Sequence, residues 1–197
     1  GLDAAHKLVI LAAVAFKVDL QIEDIYHEGI SKITLDDIKY ADSFGYVIKL
    51  LAIGRHLDDD HMSFKVHPTM VPKQHPLASV RNETNALFLH GNAVGDALLS
   101  GKGAGGSPTG SAVVSDIIDI AFNTTHQLSR RNLEPDLQTP KLAPIGDTHS
   151  QFYIRLHVKD HPSALEKITG ILGKNTISIS KILQQNIKND AAEIVLI

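Results

Sequence analysis

Gly1-Leu2-Asp3-Ala4-Ala5-His6-Lys7-Leu8-Val9-Ile10-Leu11-Ala12-Ala13-Val14-Ala15-Phe16 opens the chain with a run that leaves no polar stripe beyond Lys7. Its Leu and Ala content predicts a helix from Leu2 to about Phe16, and an apolar surface all round predicts burial on every side. The polar exceptions stand at its start. Asp3 and Lys7 are one turn apart, so they share a face. An ordinary i,i+4 ion pair explains that spacing and is worth only ~0.3–0.5 kcal/mol. At the mouth of a helix expected to be buried, however, a carboxylate and an amine are poorly placed for a mere surface pair.

Outward from that helix, Ile22 to about Ile33 reads as a second, shorter amphipathic segment. Thr34-Leu35-Asp36-Asp37 has the form of a capping box with Asp in place of Glu or Gln. A helix is expected from there to about Phe44, with Gly45 as its terminator. Tyr46 to Leu57 is apolar and β-branched enough for a strand. Asp58-Asp59-Asp60 reads as a solvated turn rather than a cation site. Met62 to Pro68 returns as a second strand, completing a hairpin. Pro68, Pro72 and Pro76 punctuate the next stretch. Asn85 to His90 and Val94 to Ser100 read as strands about a Gly91-Asn92 turn. The expected fold class is α+β, a mixed β-sheet covered by helices.

A helix is predicted from about Pro108 to Arg130, with Ser107 as N-cap and Pro108 as first helical residue. Pro135, Pro140, Pro144 and Gly146 then mark 132–148 as a linker between a domain at 1–131 and another at 149–197. In the tail, Phe152, Ile154, Leu156 and Val158 alternate along one strand. A turn at Asp160-His161-Pro162-Ser163 leads into a helix from Ala164 to Gly173. Strands follow at Ile177 to about Asn186 and at Ala192 to Ile197, giving a β-α-β-β order. The first residue is a glycine inside a motif, and the last residues are an apolar strand that needs partners. The chain is therefore expected to be an internal portion of a longer polypeptide.

Composition narrows the function. The 197 residues are 43% hydrophobic and 21% charged, ordinary for a globular protein long enough to bury a core. A net charge of −3 supplies no basic field for nucleic acid. The apolar run from Leu8 to Phe16 is too short to span a membrane. Cysteine is absent, which excludes disulfides, thiolate zinc sites and cysteine nucleophiles and fits a cytoplasmic protein. None of the 11 histidines has strong ligand spacing, so no metal site is expected. His27-Glu28 lacks a second histidine one turn on, and His157, four residues before His161, falls in a predicted strand.

Gly101-Lys102-Gly103-Ala104-Gly105-Gly106 formally matches the GxGxxG dinucleotide fingerprint. The fingerprint also needs a parallel strand before it and a βαβ unit around it, whereas here the following helix runs into the proline-rich stretch. It is not a P-loop, because no Gly-Lys-Ser/Thr closes it. A tight loop feeding a capped helix remains, and glycines there let backbone approach a ligand at a helix N-terminus.

Gly1-Leu2-Asp3-Ala4-Ala5-His6-Lys7-Leu8 resembles the catalytic helix of homoserine dehydrogenases. Gly101-Lys102-Gly103-Ala104-Gly105-Gly106-Ser107-Pro108-Thr109-Gly110-Ser111-Ala112-Val113-Val114-Ser115-Asp116 resembles that family's Gly-rich loop and following helix. The two motifs stand in the family's order, and the resemblance spans about residues 1–131. It implies NAD- or NADP-dependent interconversion of L-homoserine and L-aspartate 4-semialdehyde in the cytoplasm. It also implies Lys7 as general acid or electrostatic stabiliser and Asp3 as the residue that orients Lys7 and contacts substrate. Gly101, Gly103, Ala104 and Gly105 would border a cofactor held mainly by a separate Rossmann domain. Lys102 departs from the proline common in the family. The Rossmann domain, a substrate-binding glutamate and the monovalent-cation site lie in sequence not present here. The 197 residues alone are therefore expected neither to bind NADP tightly nor to turn over.

The tail resembles the first two-thirds of an ACT domain, a ferredoxin-like sensing module, here truncated. Ser163 stands where the usual Asp-x-Pro-Gly turn has glycine. The resemblance implies a threonine effector near Asp160, Ser163 and Ala164, and a homodimer or higher homo-oligomer. The competing reading is a non-catalytic amino-acid-sensing module whose larger half only dimerises. NAD versus NADP preference is not written in these residues.

Overall fold

Helix α1 (Leu2–Phe16) has the predicted bounds and ends at Lys17, which takes a left-handed conformation. The computed structural model describes residues 1–58, 60–126, 136–144, 146, 149–187 and 191–197. The expectation of all-round burial for α1 is corrected. Only Ala5, Leu8 and Ala12 are buried, one stripe at i, i+3 and i+7, while Ile10 and Val14 are 66% and 76% exposed. An apolar surface all round tells how much area a helix could bury, but not how much this chain supplies to cover it.

The buried stripe packs on Val18, Leu20, Ile25, Phe64 and Val66, which together form the main core. The Phe16 ring meets Phe64 edge-on at 5.2 Å. Gly54 makes room, since a Cβ there would lie 3.0 Å from the Phe64 ring and 3.2 Å from that of Phe16. The segment expected to be amphipathic over 22–33 instead forms a 3-10 turn (Ile22–Asp24) and the two-residue strand β1 (Tyr26–His27). Helix α2 (Leu35–Ser43) starts with the predicted box: Asp37 N–H donates to Thr34 Oγ1, and Thr34 N–H donates to Asp37 Oδ2 at 2.8 Å. Gly45 follows at φ +86°, where a side chain would be strained.

Strands β2 (Tyr46–His56) and β3 (Met62–Pro72) form the predicted hairpin along their whole length. Pro68 lies within β3 instead of ending it, and Pro72 closes the strand. β1 pairs in parallel with β3 only at Lys65 and Val66, so on that side the backbone near Pro68 has no ladder bond to lose. β4 (Thr84–Gly91) and β5 (Gly95–Lys102) make a separate two-stranded sheet. The expected single mixed sheet is thus several small sheets, an architecture of mixed α and β elements. Helix α3 (Gly106–Thr125) has Gly105 as its N-cap, not Ser107, and Pro108 sits third, where a missing N–H also costs no helical bond. Its predicted end near Arg130 lies outside the described residues. None of its residues is buried, and Val113, Val114, Ile117, Ile118, Ile120 and Phe122 are exposed.

Much of the expected linker at 132–148 also lies outside the described residues. Its described part is bound to the core: Gln138 bridges Val18, and Leu142 bridges Met62 and packs against the core. The tail forms β6 (Ile154–Lys159), α4 (Ala164–Lys174), β7 (Ile182–Ile187) and β8 (Ala191–Leu196). β8 lies between β6 and β7, antiparallel to both. This double pairing explains its composition: Ala192, Ile194, Val195 and Leu196 are all at most 2% exposed. β7 starts at Ile182, later than expected. No described helix is long and apolar enough to cross a membrane.

Candidate active site

The first turn of α1 fixes Asp3 and Lys7. Gly1 caps the helix without a side chain, and a Cβ at Gly1 would lie 2.8 Å from the Glu28 carbonyl oxygen. Glycine is thus what lets the start of α1 settle on the Glu28-Gly29 backbone. That backbone is itself held to the sheet, because Glu28 N–H donates to Val66 O at 2.7 Å. The floor under α1 was not foreseen from sequence. The only local signal was Gly29 beside Glu28, which does not announce a contact with residue 1.

Lys7 Nζ lies 2.8 Å from Asp3 Oδ2, so the predicted pair exists. Its surroundings differ from those expected, for both side chains are more than half exposed. The Lys7 ammonium, first by hydrogen bonding and then by its charge, holds the Asp3 carboxyl below its usual value of 3.8. Asp3 is therefore ionised near neutral pH. What results is an ammonium fixed in direction by a carboxylate one turn away, uncovered and free to meet a solute.

The Gly-rich loop lies elsewhere on the chain. Gly101 and Lys102 close β5, Gly103 and Ala104 follow, and Gly105 caps α3 at φ +125°. Gly103 N–H donates to Glu83 O at 2.9 Å, and a Cβ on Gly103 would run into the Asn85 carboxamide. Lys102 is paired with Glu83 at 3.3 Å. Gly101, Gly103, Ala104 and Gly105 are all exposed. The turn before α3 is thus bare backbone, and the first N–H groups of that helix have no intrahelical partner. Such a surface fits an anionic or electron-rich group such as a dinucleotide. Among the described residues, no hydrogen bond or ion pair joins this loop to Asp3 or Lys7.

Asp160, Ser163 and Ala164 fall in the turn from β6 into α4. Ser163 Oγ is 3.0 Å from His161 Nδ1, and Ala164 N–H donates to His161 O at 2.9 Å. No group of three or more His, Asp or Glu residues able to hold a metal ion occurs among the described residues.

Comparison with known proteins brings these features under one heading. The family model for homoserine dehydrogenase matches residues 1–118. A homoserine dehydrogenase of Pseudomonas aeruginosa is 40% identical over 94% of this chain and 44% of its own length. One from Bacillus subtilis is 37% identical over 100% of the chain and 46% of its own length. The crystal structure of a homoserine dehydrogenase from Thiobacillus denitrificans superposes with a TM-score of 0.88 at 39% identity, covering 100% of this chain and 45% of that one. The chain thus spans somewhat under half the length of the relatives it matches. On the family model and on these whole-chain matches, it belongs to the homoserine dehydrogenase family.

Proposed function

We propose that the complete polypeptide interconverts L-homoserine and L-aspartate 4-semialdehyde using NAD or NADP, with Lys7 and Asp3 at the reacting end of the substrate. The observation that carries this reading is the 2.8 Å Lys7–Asp3 pair, directed and uncovered on the first turn of α1 in a member of this family. When bound, the nicotinamide dinucleotide supplies the hydride-transfer chemistry. In the reducing direction the aldehyde oxygen becomes negative, and Lys7 Nζ–H donates to it or neutralises it. In the oxidising direction Lys7, as the neutral amine that the reverse step leaves, takes the hydroxyl proton and becomes the ammonium. Asp3 holds the direction of the Lys7 amine and offers its second oxygen to the polar groups of the substrate. The bare backbone at Gly101, Gly103, Ala104 and Gly105 borders the cofactor, which is held mainly by a domain outside these residues.

We read 149–197 as the first part of an ACT-like module joined by 132–148 to the catalytic unit at 1–131. Its β-α-β-β order, with the last strand inserted between the first two, supports that reading. A threonine effector would bind near Asp160, Ser163 and Ala164. The exposed apolar faces of α1 and α3 support assembly into a homodimer or higher homo-oligomer in the cytoplasm. The test is the initial rate of homoserine oxidation by the complete polypeptide with each nucleotide. Reduced nucleotide should form with at least one of them. A folded protein that forms none would overturn the enzymatic reading in favour of an amino-acid sensor.

A further inference from the structure

A second polar cluster joins the tail sheet to α2. Asp37 on α2 and Glu193 on β8 are 6% and 7% exposed, and Arg155 on β6 lies between them. Arg155 Nη1 is 3.0 Å from Asp37 Oδ1 and donates to Thr34 Oγ1 at 3.0 Å, while its Nε is 3.2 Å from Glu193 Oε1. Tyr153 Oη donates to Asp37 Oδ1 at 2.8 Å. Tyr40 Oη, one turn along α2, hydrogen-bonds to Glu193 and to Gln185. His157 Nε2 approaches Glu193 from the solvent side at 3.2 Å. No buried side-chain nitrogen or oxygen is left without a partner among the described residues.

The other end of α2 is held as well. Lys181, just before β7, donates from Nζ to the carbonyl of Phe44, the C-cap of α2. Its ammonium also stands 4.8 Å from the Tyr46 ring centroid. Both contacts obey helix electrostatics. A cation at the C-terminal carbonyls is favourable, and the Asp37 carboxylate that caps the N-terminus is the group the tail grips. Phe44 and Gly45 lead directly into β2, which packs against α1 where Gly54 meets Phe16.

We propose that Arg155 and Lys181 form a two-ended clasp by which the tail sheet holds α2, so that the state of the tail sets the mobility of α2. The inference does not depend on the reaction the whole protein performs. Hydrogen–deuterium exchange of the complete polypeptide tests it, comparing wild type with Arg155→Met and Lys181→Met. Amides of 34–44 should exchange roughly tenfold faster in each variant, with β4 and β5 unchanged. Unchanged exchange in 34–44 would overturn the clasp, as would equal acceleration of β4 and β5, which would mean general destabilisation. Removing Arg155 leaves two buried carboxylates and could prevent folding. Lys181→Met, which leaves no buried carboxylate without its partner, then carries the test. A faster 34–44 segment with unchanged β4 and β5 supports the clasp, and wild-type exchange overturns it.

Discussion

Thr176 follows α4 with a positive φ of 59°, a conformation that crowds a β-branched side chain. Ile177 N–H donates to Leu172 O at 2.9 Å and Thr176 N–H to Gly173 O at 3.1 Å, the double bond pattern that normally has glycine at this position. Thr176→Gly should therefore raise stability by about 1 kcal/mol in urea unfolding. A loss of stability would show that the threonine side chain makes a compensating contact. Asp3 is a different case. Because its pair with Lys7 is open to solvent, Asp3→Asn should leave the thermal midpoint unchanged while lowering kcat for the proposed homoserine oxidation by the complete polypeptide. A variant that unfolds earlier would make the pair structural. The spacing of Asp3 and Lys7 was legible in sequence, but their exposure was not, since it depends on what lies over α1. Asp37 was legible only as half of a capping box. Its tie to Tyr153, 116 positions later, leaves no local pattern.

At the scale of elements, periodicity located α1, α2, the β2–β3 hairpin and the β4–β5 pair to within a few residues. It failed where a short run could follow two periods. The 22–33 segment has apolar residues at helical spacing, yet Tyr26 and His27 pair with Lys65 and Val66 instead. It also failed at the start of α3, where the backbone freedom of Gly105 outweighed the hydroxyl of Ser107. The one-sided burial of α1 makes a direct prediction. Leu8→Ala on the covered face should cost about 2–5 kcal/mol in the 197-residue chain. Val14→Ser on the uncovered face should stay within about 0.5 kcal/mol. Equal losses from chemical denaturation of the two variants would mean that α1 is covered on both sides.

Taken as a whole, the molecule is joined across its length by groups whose titration can be followed. Thr34, Tyr153 and Arg155 face Asp37, while Tyr40, Arg155 and His157 face Glu193. Burial works to raise the Asp37 carboxyl, but hydrogen bonds from Thr34 and Tyr153 and the Arg155 charge outweigh it and hold it below 3.8. Its contribution is present above that value and is lost as pH falls through the depressed one. Burial first, and then the neighbouring carboxylates, raise both phenols, Tyr153 far above 10 and Tyr40 to about 12. Their contribution is complete below the ordinary value near 10 and is lost as pH climbs through the raised ones. Ultraviolet titration should show a group ionising near pH 12 that disappears in Tyr40→Phe. Ionisation of Tyr40 near 10 would contradict the buried geometry. Lys7 carries the proposed chemistry, and homoserine oxidation by the complete polypeptide, wild type against Lys7→Ala with circular dichroism of both, shows whether it does. Lys7→Ala should lose roughly 10²-fold or more in kcat with an unchanged fold. Near-normal turnover in the folded variant would contradict that assignment.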